Sequence, residues 1–370
     1  MHLAINATEI GRQRGGNESY LQGLLQGLSD LAVPPEVTLV LTSTGEKMVR
    51  SSPATPFQIA GVGDYRRLPF YLWQQTAVLR RVRPDWYVST FFLPPVTLCR
   101  AAVLVHDLSF RAHPNYFPAR ISLYMRLLTG LAVRRAERVI ALSEFTRQEI
   151  ARFHPEAAAR TAVVYPGVGP QFCPEPGPDE ARVLPVYGLK PGYILALGNI
   201  HPRKNLARLL QAYETLRGRR ASTPPLVWVG LQRWDSAALV RQARAAGVVM
   251  PGFIAGADLP ALYRGAAMLA YPSLYEGFGL PPLEAMACGT PAIVSNTTSL
   301  PEVVGQAALR VNPTDVEGIA GAMARLLDDA PLRRRLRESG LERAREFTWT
   351  RTAQRLLACL EDRGGTPAGV

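Results

Sequence analysis

The feature that most constrains this chain is an alternation that occurs twice. Short apolar runs at 3–7, 37–42, 86–89, 101–106 and 138–142 are separated by longer stretches of helical period, among them 19–31, 71–82 and 119–137. Runs that are apolar on both faces belong to a parallel sheet with helices packed on either side. A second set follows at 193–197, 226–229, 248–250, 268–271 and 291–295, with helical segments at 206–218, 237–246 and 259–265 between the runs. Two consecutive βαβ arrays predict an α/β protein with two Rossmann-like, doubly wound domains.

The chain of 370 residues is long enough for both domains. Between about residues 165 and 191 lie Pro166, Gly167, Gly169, Pro170, Pro174, Pro176, Gly177, Pro178 and Pro185. That density of helix and strand breakers predicts a linker. The expected division is 1–170 for the first domain, 171–190 for the linker and 191–349 for the second domain. Residues 350–370 then form a C-terminal helix and a frayed Gly-Gly-Thr-Pro tail. Residues 316–328 and 331–347 read as arginine-rich amphipathic helices.

Lys and Arg number 42 against 30 Asp and Glu, a net charge of +12, and only Lys47, Lys190 and Lys204 are lysines. The excess is shared by both halves, with no basic tail and no basic element interleaved with aromatics, so nucleic-acid binding is not expected. An anionic small molecule or a lipid headgroup surface fits as well. The four cysteines are scattered without a C-x-x-C, which excludes a zinc ribbon and a disulfide framework. Neither a signal peptide nor a membrane span is read, so the expected location is cytoplasmic, with the inner face of the membrane as a candidate surface. In segment 118–138, Ile121, Tyr124, Met125, Leu128 and Leu131 share one helical face beside Arg120, Arg126, Arg134, Arg135 and Arg138. A core-packed helix is favoured there over a membrane contact.

Four motifs carry chemistry. Ser273 to Ala287 runs from a strand through Glu276-Gly277-Phe278-Gly279-Leu280 into a helix that starts at Pro281 or Pro282. Such a turn presents backbone N–H groups to an anion, and Glu276 and Glu284 bracket it as acceptors for sugar and ribose hydroxyls. The alternative, an early-helix glutamate and a loop charge, accounts for each residue singly but not for the Gly-x-Gly between them. Gly198 to Leu206 places Arg203 and Lys204 at a strand-to-helix junction, where cations oppose the helix dipole unless an anion joins them. The pair suits a diphosphate, Arg as a fork and Lys as a point charge. His106 and Asp107 end an apolar strand, where doubly wound sheets place ligands. A metal-binding HD reading lacks further ligands. Gly11 to Tyr20 contains Gly15-Gly16 in a loop ahead of a helix, with an ordinary turn as its competitor.

Glu276 to Glu284 resembles the E-x7-E signature of retaining glycosyltransferase family 4, as do Ala287 to Pro291 and Ser299 to Gly305. The resemblance covers essentially the whole chain and implies the GT-B fold, with two domains facing a central cleft and the C-terminal helix of 350–370 crossing back to the first domain. It implies donor-sugar contacts for Glu276 and for His106 across the cleft from it, and ribose contacts for Glu284. It assigns the leaving diphosphate to Arg203 and Lys204, and puts the Gly15-Gly16 loop near diphosphate and acceptor. It implies a place beside the nucleobase for Phe253, and gives the rest of the donor site to Phe278, Gly279 and Leu280. His106, Arg203, Lys204 and Glu276 are the expected catalytic set.

With no D-x-D motif in the sequence, neither a divalent metal nor a cofactor is expected. The implied function is transfer of a hexose from a nucleoside-diphosphate sugar in polysaccharide or glycoconjugate biosynthesis. The motifs most resemble the mannosyltransferase-like branch, making GDP-mannose the first donor expected and a UDP-sugar the next. The acceptor is a saccharide, a lipid-linked chain or a small molecule. A dinucleotide-dependent oxidoreductase and a sugar-nucleotide-binding protein without turnover are the alternatives. The first requires a G-x-G-x-x-G that the Gly15-Gly16 loop does not supply.

Overall fold

A computed structural model describes residues 1–12, 15–50, 56–63, 69–177, 180–231 and 236–362. The chain divides into two compact units, residues 1–167 with 348–370, and residues 168–347. The 363–370 tail, Gln13, Arg14 and Pro178 lie outside the described residues.

The first unit holds a seven-stranded parallel sheet built from β1 (His2–Asn6), β2 (Glu36–Leu41), β3 (Gln58–Gly61), β4 (Trp86–Thr90), β5 (Arg100–Val105), β6 (Arg138–Ala141) and β7 (Thr161–Val163). Its order is β3-β2-β1-β4-β5-β6-β7. The direction of winding therefore reverses between β1 and β4. Ala102, Val103, Leu104 and Val105 of β5 are all fully buried, as a central strand covered on both faces requires. Helix α1 (Gly16–Ser29) buries Tyr20, Leu21, Leu24 and Leu28. It starts three residues earlier than the periodicity predicts, because Gly15 at φ 76° makes the entry and no side chain caps the helix. The C-terminal helix Trp349–Glu361 packs on α1 in this unit. Gly23 permits it, since a Cβ there would lie 1.9 Å from the Trp349 ring.

Helix α2 (Ser43–Arg50) follows β2, and a π-helical turn at Phe70–Gln74 leads into α3 (Gln75–Val82). Helix α4 (Ala119–Arg135) differs from the sequence expectation. Its buried face is made of Ser122, Thr129, Gly130, Ala132 and Val133, and Leu131 is 52% exposed. Of the face expected to pack, Ile121, Tyr124, Met125 and Leu128 are half-buried, with Met125 against the core, and Leu123, Leu127 and Leu131 face outward. Helix α5 (Glu144–Phe153) is N-capped, Ser143 Oγ accepting from the Thr146 N–H at 3.0 Å.

The second unit is a six-stranded parallel sheet of β8 (Tyr193–Leu197), β9 (Leu226–Val229), β10 (Val249–Gly252), β11 (Ala266–Tyr271), β12 (Ala292–Ser295) and β13 (Leu309–Val311), ordered β10-β9-β8-β11-β12-β13. Its helices are α6 (Leu206–Arg219), α7 (Ala237–Ala245), α8 (Leu259–Gly265), α9 (Leu280–Ala287), α10 (Leu300–Val304), α11 (Val316–Asp328) and α12 (Ala330–Ala344). Asp315 and Asp329 cap α11 and α12, accepting from Gly318 N–H at 3.0 Å and Leu332 N–H at 2.8 Å.

Arginines close the other ends of several helices. Arg333 donates to the Leu326 carbonyl at 2.7 Å, Arg343 to the Val303 carbonyl at 3.0 Å and Arg337 to the Gly289 carbonyl at 3.2 Å. Part of the arginine excess thus satisfies carbonyls that helix termini leave open. The stretch read as a linker is bonded to the second unit. Arg264 donates to the Cys173 carbonyl at 2.6 Å and to Glu180 Oε1 at 2.7 Å, and Val168 N–H donates to the Phe347 carbonyl at 3.0 Å.

Candidate active site

Winding in the second sheet reverses between β8 and β11, so the loops leaving their carboxyl ends are neighbours. After β8 the chain passes Gly198 at φ 135° and makes a single 3-10 turn, Pro202–Lys204. Asn205 then takes the left-handed conformation (φ 58°, ψ 30°), which Asn tolerates better than most residues. Its side-chain amide donates to the carbonyls of Pro272 (2.9 Å) and Pro313 (2.6 Å), fixing this turn to the loop after β11. The Leu274 N–H adds a bond to the Arg203 carbonyl at 2.7 Å.

These ties bring Arg203, Lys204 and Glu276 into one cluster. Glu276 is buried. Its Oε2 accepts from Arg203 Nη1 at 2.8 Å and its Oε1 from Lys204 Nζ at 2.6 Å. Lys204 Nζ also donates to the Tyr271 hydroxyl, and Arg203 Nη1 to the Tyr275 carbonyl at 3.3 Å. Burial alone raises the Glu276 pKa, but Arg203 and then Lys204 outweigh it and hold the carboxyl at about 2. The cluster is thus a fixed carboxylate between two cations, with one positive charge in excess. The anion that the helix-dipole argument demanded beside Arg203 and Lys204 is supplied within the chain by Glu276.

The loop carrying Glu276 is pinned from below. Ser299 Oγ donates to the Glu276 carbonyl at 2.9 Å and to the Phe278 carbonyl at 2.7 Å. Gly279 sits at φ 116°, where a Cβ would lie 2.6 Å from Leu300 Cδ2, so only glycine fits that turn. Leu280 then begins α9, with Pro281 and Pro282 in its first turn. Prolines offer no N–H, which narrows the first turn's open amide donors to Gly279 and Leu280. The Phe278 ring packs against Phe347 at 5.8 Å and is buried.

Glu284 lies one turn into α9 and is also buried. Its Oε2 accepts from the Tyr263 hydroxyl at 2.6 Å. Burial raises its pKa to about 7, and the Tyr263 hydrogen bond offsets only part of that. The two glutamates therefore sit in opposite electrostatic settings. Phe253 follows β10, two strands from β8 in the sheet, with its ring 48% exposed.

Gly15, Gly16 and His106 belong to the first unit. Gly15 makes the entry to α1, and a Cβ on Gly16 would meet nothing within 4 Å. Glu18 Oε1 holds this loop by accepting from the Gly11 N–H at 2.7 Å. His106 follows β5, with the Tyr20 ring edge-on at 5.0 Å and the Phe91 ring at 5.5 Å. Burial pushes its pKa down to about 4 against a smaller opposing effect of Asp107, and its Nε2 has no partner. Asp107 Oδ1 accepts from Ser109 N–H (2.9 Å) and Oγ (2.6 Å), a turn-capping role that accounts for the His-Asp pair without a metal.

A cavity of about 350 Å³ in the second unit lies at the opposite end of the sheet, lined by Ala266, Ala267 and Pro291 at the strand starts and by Arg264, Arg333, Arg334 and Arg337. Three of those arginines already hold carbonyls or Glu180. Doubly wound sheets bind ligands at the carboxyl ends of strands, which selects the Glu276 cluster and not this cavity. Sequence reading missed Tyr271, Asn205, Ser299 and Thr298, whose Oγ1 accepts from the Glu276 N–H at 3.3 Å, and these build the site from beneath. Of these, Asn205 and Ser299 lay in segments already singled out, without a role assigned to either.

Two parallel Rossmann-like units, one with a cation-flanked glutamate at its switch point, define a GT-B protein. Residues 14–172 match the glycosyltransferase family 4 model and residues 185–343 match glycosyl transferases group 1. An O-antigen chain mannosyltransferase B from Escherichia coli is 36% identical over 281 residues, covering 75% of this chain and 74% of that protein. A serotype-specific mannosyltransferase WbdA from Escherichia coli is 30% identical over 342 residues, 84% of this chain, and the chain spans only 41% of WbdA's length. A solved sucrose-phosphate synthase from Thermosynechococcus elongatus superposes with a TM-score of 0.77 at 21% identity, over 97% of this chain and 98% of that one. The chain belongs to glycosyltransferase family 4. That membership replaces the oxidoreductase alternative.

Proposed function

We propose that this chain is a retaining, metal-independent hexosyltransferase acting in cell-surface polysaccharide synthesis at the cytoplasmic side of a membrane. GDP-mannose is the first donor in this reading and a UDP-sugar the second. The acceptor is a saccharide, lipid-linked chain or small molecule. The observation that carries it is the cluster in which Glu276 is gripped by both Arg203 and Lys204. The similarity to an O-antigen chain mannosyltransferase supports mannose.

In this reading Arg203 and Lys204 bind the diphosphate and stabilise the charge that builds up as it leaves. Glu276 accepts hydrogen bonds from donor-sugar hydroxyls, and Glu284 from the ribose. His106 hydrogen-bonds the donor sugar, the Gly15-Gly16 backbone approaches the diphosphate, and Phe253 stands by the base. Amides at Gly279 and Leu280 complete the phosphate contacts. The bond from the sugar's anomeric carbon to the diphosphate oxygen breaks, and the acceptor oxygen bonds to that carbon on the same face. The acceptor's proton passes to the departing phosphate oxygen. Such a reaction is served by positioning and fixed charge.

Titration of the purified protein with GDP, UDP, ADP and NAD, with and without magnesium, tests the donor site. One nucleoside diphosphate should bind without magnesium, and NAD binding alone would overturn the reading. Lys204→Ala should lower turnover by about 10²–10³. An unchanged rate in that variant removes Lys204 from the mechanism.

A further inference from the structure

Among the described residues, seven of the thirteen exposed large hydrophobic side chains occupy one region of the first unit. Leu72 (46%) and Trp73 (56%) lie in the π-helical turn before α3. Val96 (52%) and Leu98 (48%) lie in the loop after β4. Leu123 (57%), Leu127 (59%) and Leu131 (52%) lie on α4. The three α4 leucines recur every four residues and so form one stripe along the helix.

The loop joins the two helices into one surface. The Phe92 ring touches Tyr71 at 5.1 Å on one side and Tyr124 at 5.7 Å on the other. Thr76 Oγ1 donates to the Val96 carbonyl at 2.9 Å, and Arg135 Nη1 to the Pro94 carbonyl at 2.9 Å. A contiguous exposed apolar surface of this kind marks a binding face.

Charge decides what it binds. From residue 69 to 136 the sequence carries nine arginines and two acidic residues, Asp85 and Asp107. Neither acid lies on α3 or α4. Asp85 accepts from the His2 N–H at 2.7 Å at the amino end of the sheet, and Asp107 caps the turn after β5. Arg120 and Arg126 on α4 and Arg80 on α3 are exposed, whereas Arg134 is paired with Glu156 at 3.0 Å. A second copy of the chain, docked through a two-fold axis, would set this cationic surface against itself. An anionic bilayer matches both components, since leucines and Trp73 enter the acyl boundary while arginines meet headgroup phosphates.

We infer that the α3–α4 face docks the first unit on an anionic phospholipid surface. This deepens the part of the proposed function that puts the enzyme beside a membrane. Among the described residues no helix is long and apolar enough to cross one, so attachment here is to the surface.

The test is flotation of the full chain with vesicles of phosphatidylcholine alone and of phosphatidylcholine with about one-third phosphatidylglycerol, at low and at about 0.5 M salt. The parent chain should float with the anionic vesicles, far less with neutral ones, and less at high salt. The double variant Leu123→Ser, Leu127→Ser should bind roughly tenfold more weakly or worse, and Arg126→Ser should weaken binding and flatten its salt dependence. Absence of anionic-vesicle binding by the parent chain overturns the inference whatever the variants do. Equal flotation of parent and double variant overturns it too, as does a solution dimer that the double variant splits. Both leucines are exposed, so melting temperature and nucleotide titration should be unchanged. A loss of nucleotide binding by the parent chain strikes the donor-site reading instead.

Discussion

The carboxyl ends of the two sheets share a topology and differ in chemistry. In the second unit the switch point holds a charged, hydrogen-bonded cluster in which Glu276 meets both Arg203 and Lys204. In the first unit the charges at the corresponding edge are spent on the loops themselves, Glu18 on the Gly11 N–H and Asp107 on Ser109, and the groups beside them are neutral and polar. Asn6 Nδ2 donates to Ser89 Oγ at 3.0 Å, and Thr8 Oγ1 to Asn6 Oδ1 at 2.8 Å. Tyr20 OH, Thr90 Oγ1 and His106 Nε2 are buried without partners. The same winding has placed a fixed electrostatic device in one unit and unsatisfied neutral groups in the other. Topology says where a ligand goes, and side chains decide which ligand. The charged edge fits a diphosphate, and the neutral edge fits hydroxyl-bearing partners.

The largest effect should come from Glu276→Gln, which keeps the shape and removes the charge. Arg203 and Lys204 would then face each other without a carboxylate, and breaking a buried pair costs about 3–5 kcal/mol. Arg203 is a quarter exposed, so solvent screening puts the loss toward the lower figure. Turnover should fall by about 10³ or more, while nucleoside-diphosphate affinity holds or improves because the excess charge rises from one to two. Equal losses of turnover and affinity would make Glu276 a holder of the cations and nothing more. The parent's Glu276 contribution to stability is present above the ordinary carboxyl range and lost as pH falls toward about 2.

That asymmetry between the units was only partly legible in the sequence. Central strands such as β5, β8 and β11 declare themselves because burial on both faces demands continuous apolar runs. The edge strands β3, β7 and β13 do not, being three or four residues long and partly exposed. Helix α4 misled at Leu131, which is exposed, and at the small residues Ser122, Thr129, Gly130 and Ala132, which are its most buried, a distinction that a size-weighted pattern does not carry. Arg203, Lys204 and Glu276 were each identifiable from local motifs, but nothing in spacing says that residues more than 70 positions apart pair. Asn205, Tyr271 and Ser299 escaped because their work is done against backbone carbonyls and neighbouring side chains that only the fold supplies.

Within the second unit, Glu284 provides a sharper contrast with Glu276. Its pKa is raised to about 7, so near neutrality it is divided between acid and carboxylate. In the proposed ribose role the carboxylate is the stronger acceptor of hydroxyl hydrogen bonds. Donor affinity should therefore rise between pH 6 and 8, and Glu284→Gln should abolish that rise, costing about tenfold at pH 8 and little at pH 6. Stability moves the other way. A carboxyl whose folded pKa lies above its unfolded value costs stability as pH rises from about 4.5 to about 7. Glu284→Gln should thus melt higher than the parent at pH 8. Affinity that is flat with pH in the parent would break the distinction between the two glutamates.

The smallest effect, and the one that probes the neutral edge directly, belongs to His106→Leu. With its pKa near 4, His106 is uncharged at neutral pH, so it serves as a hydrogen-bonding group and not as a proton carrier. Its buried Nε2 lacks a partner, a cost of about 1–3 kcal/mol that a leucine of similar volume removes. The variant should melt slightly higher than the parent. Turnover should fall by roughly tenfold, the worth of one hydrogen bond to a sugar hydroxyl, with nucleoside-diphosphate affinity unchanged because the charged edge is untouched. A lower melting temperature with full turnover would assign His106 to the packing of Tyr20 and Phe91. A higher melting temperature with impaired turnover would show that the first unit keeps an unsatisfied group for its ligand, at the expense of its own stability.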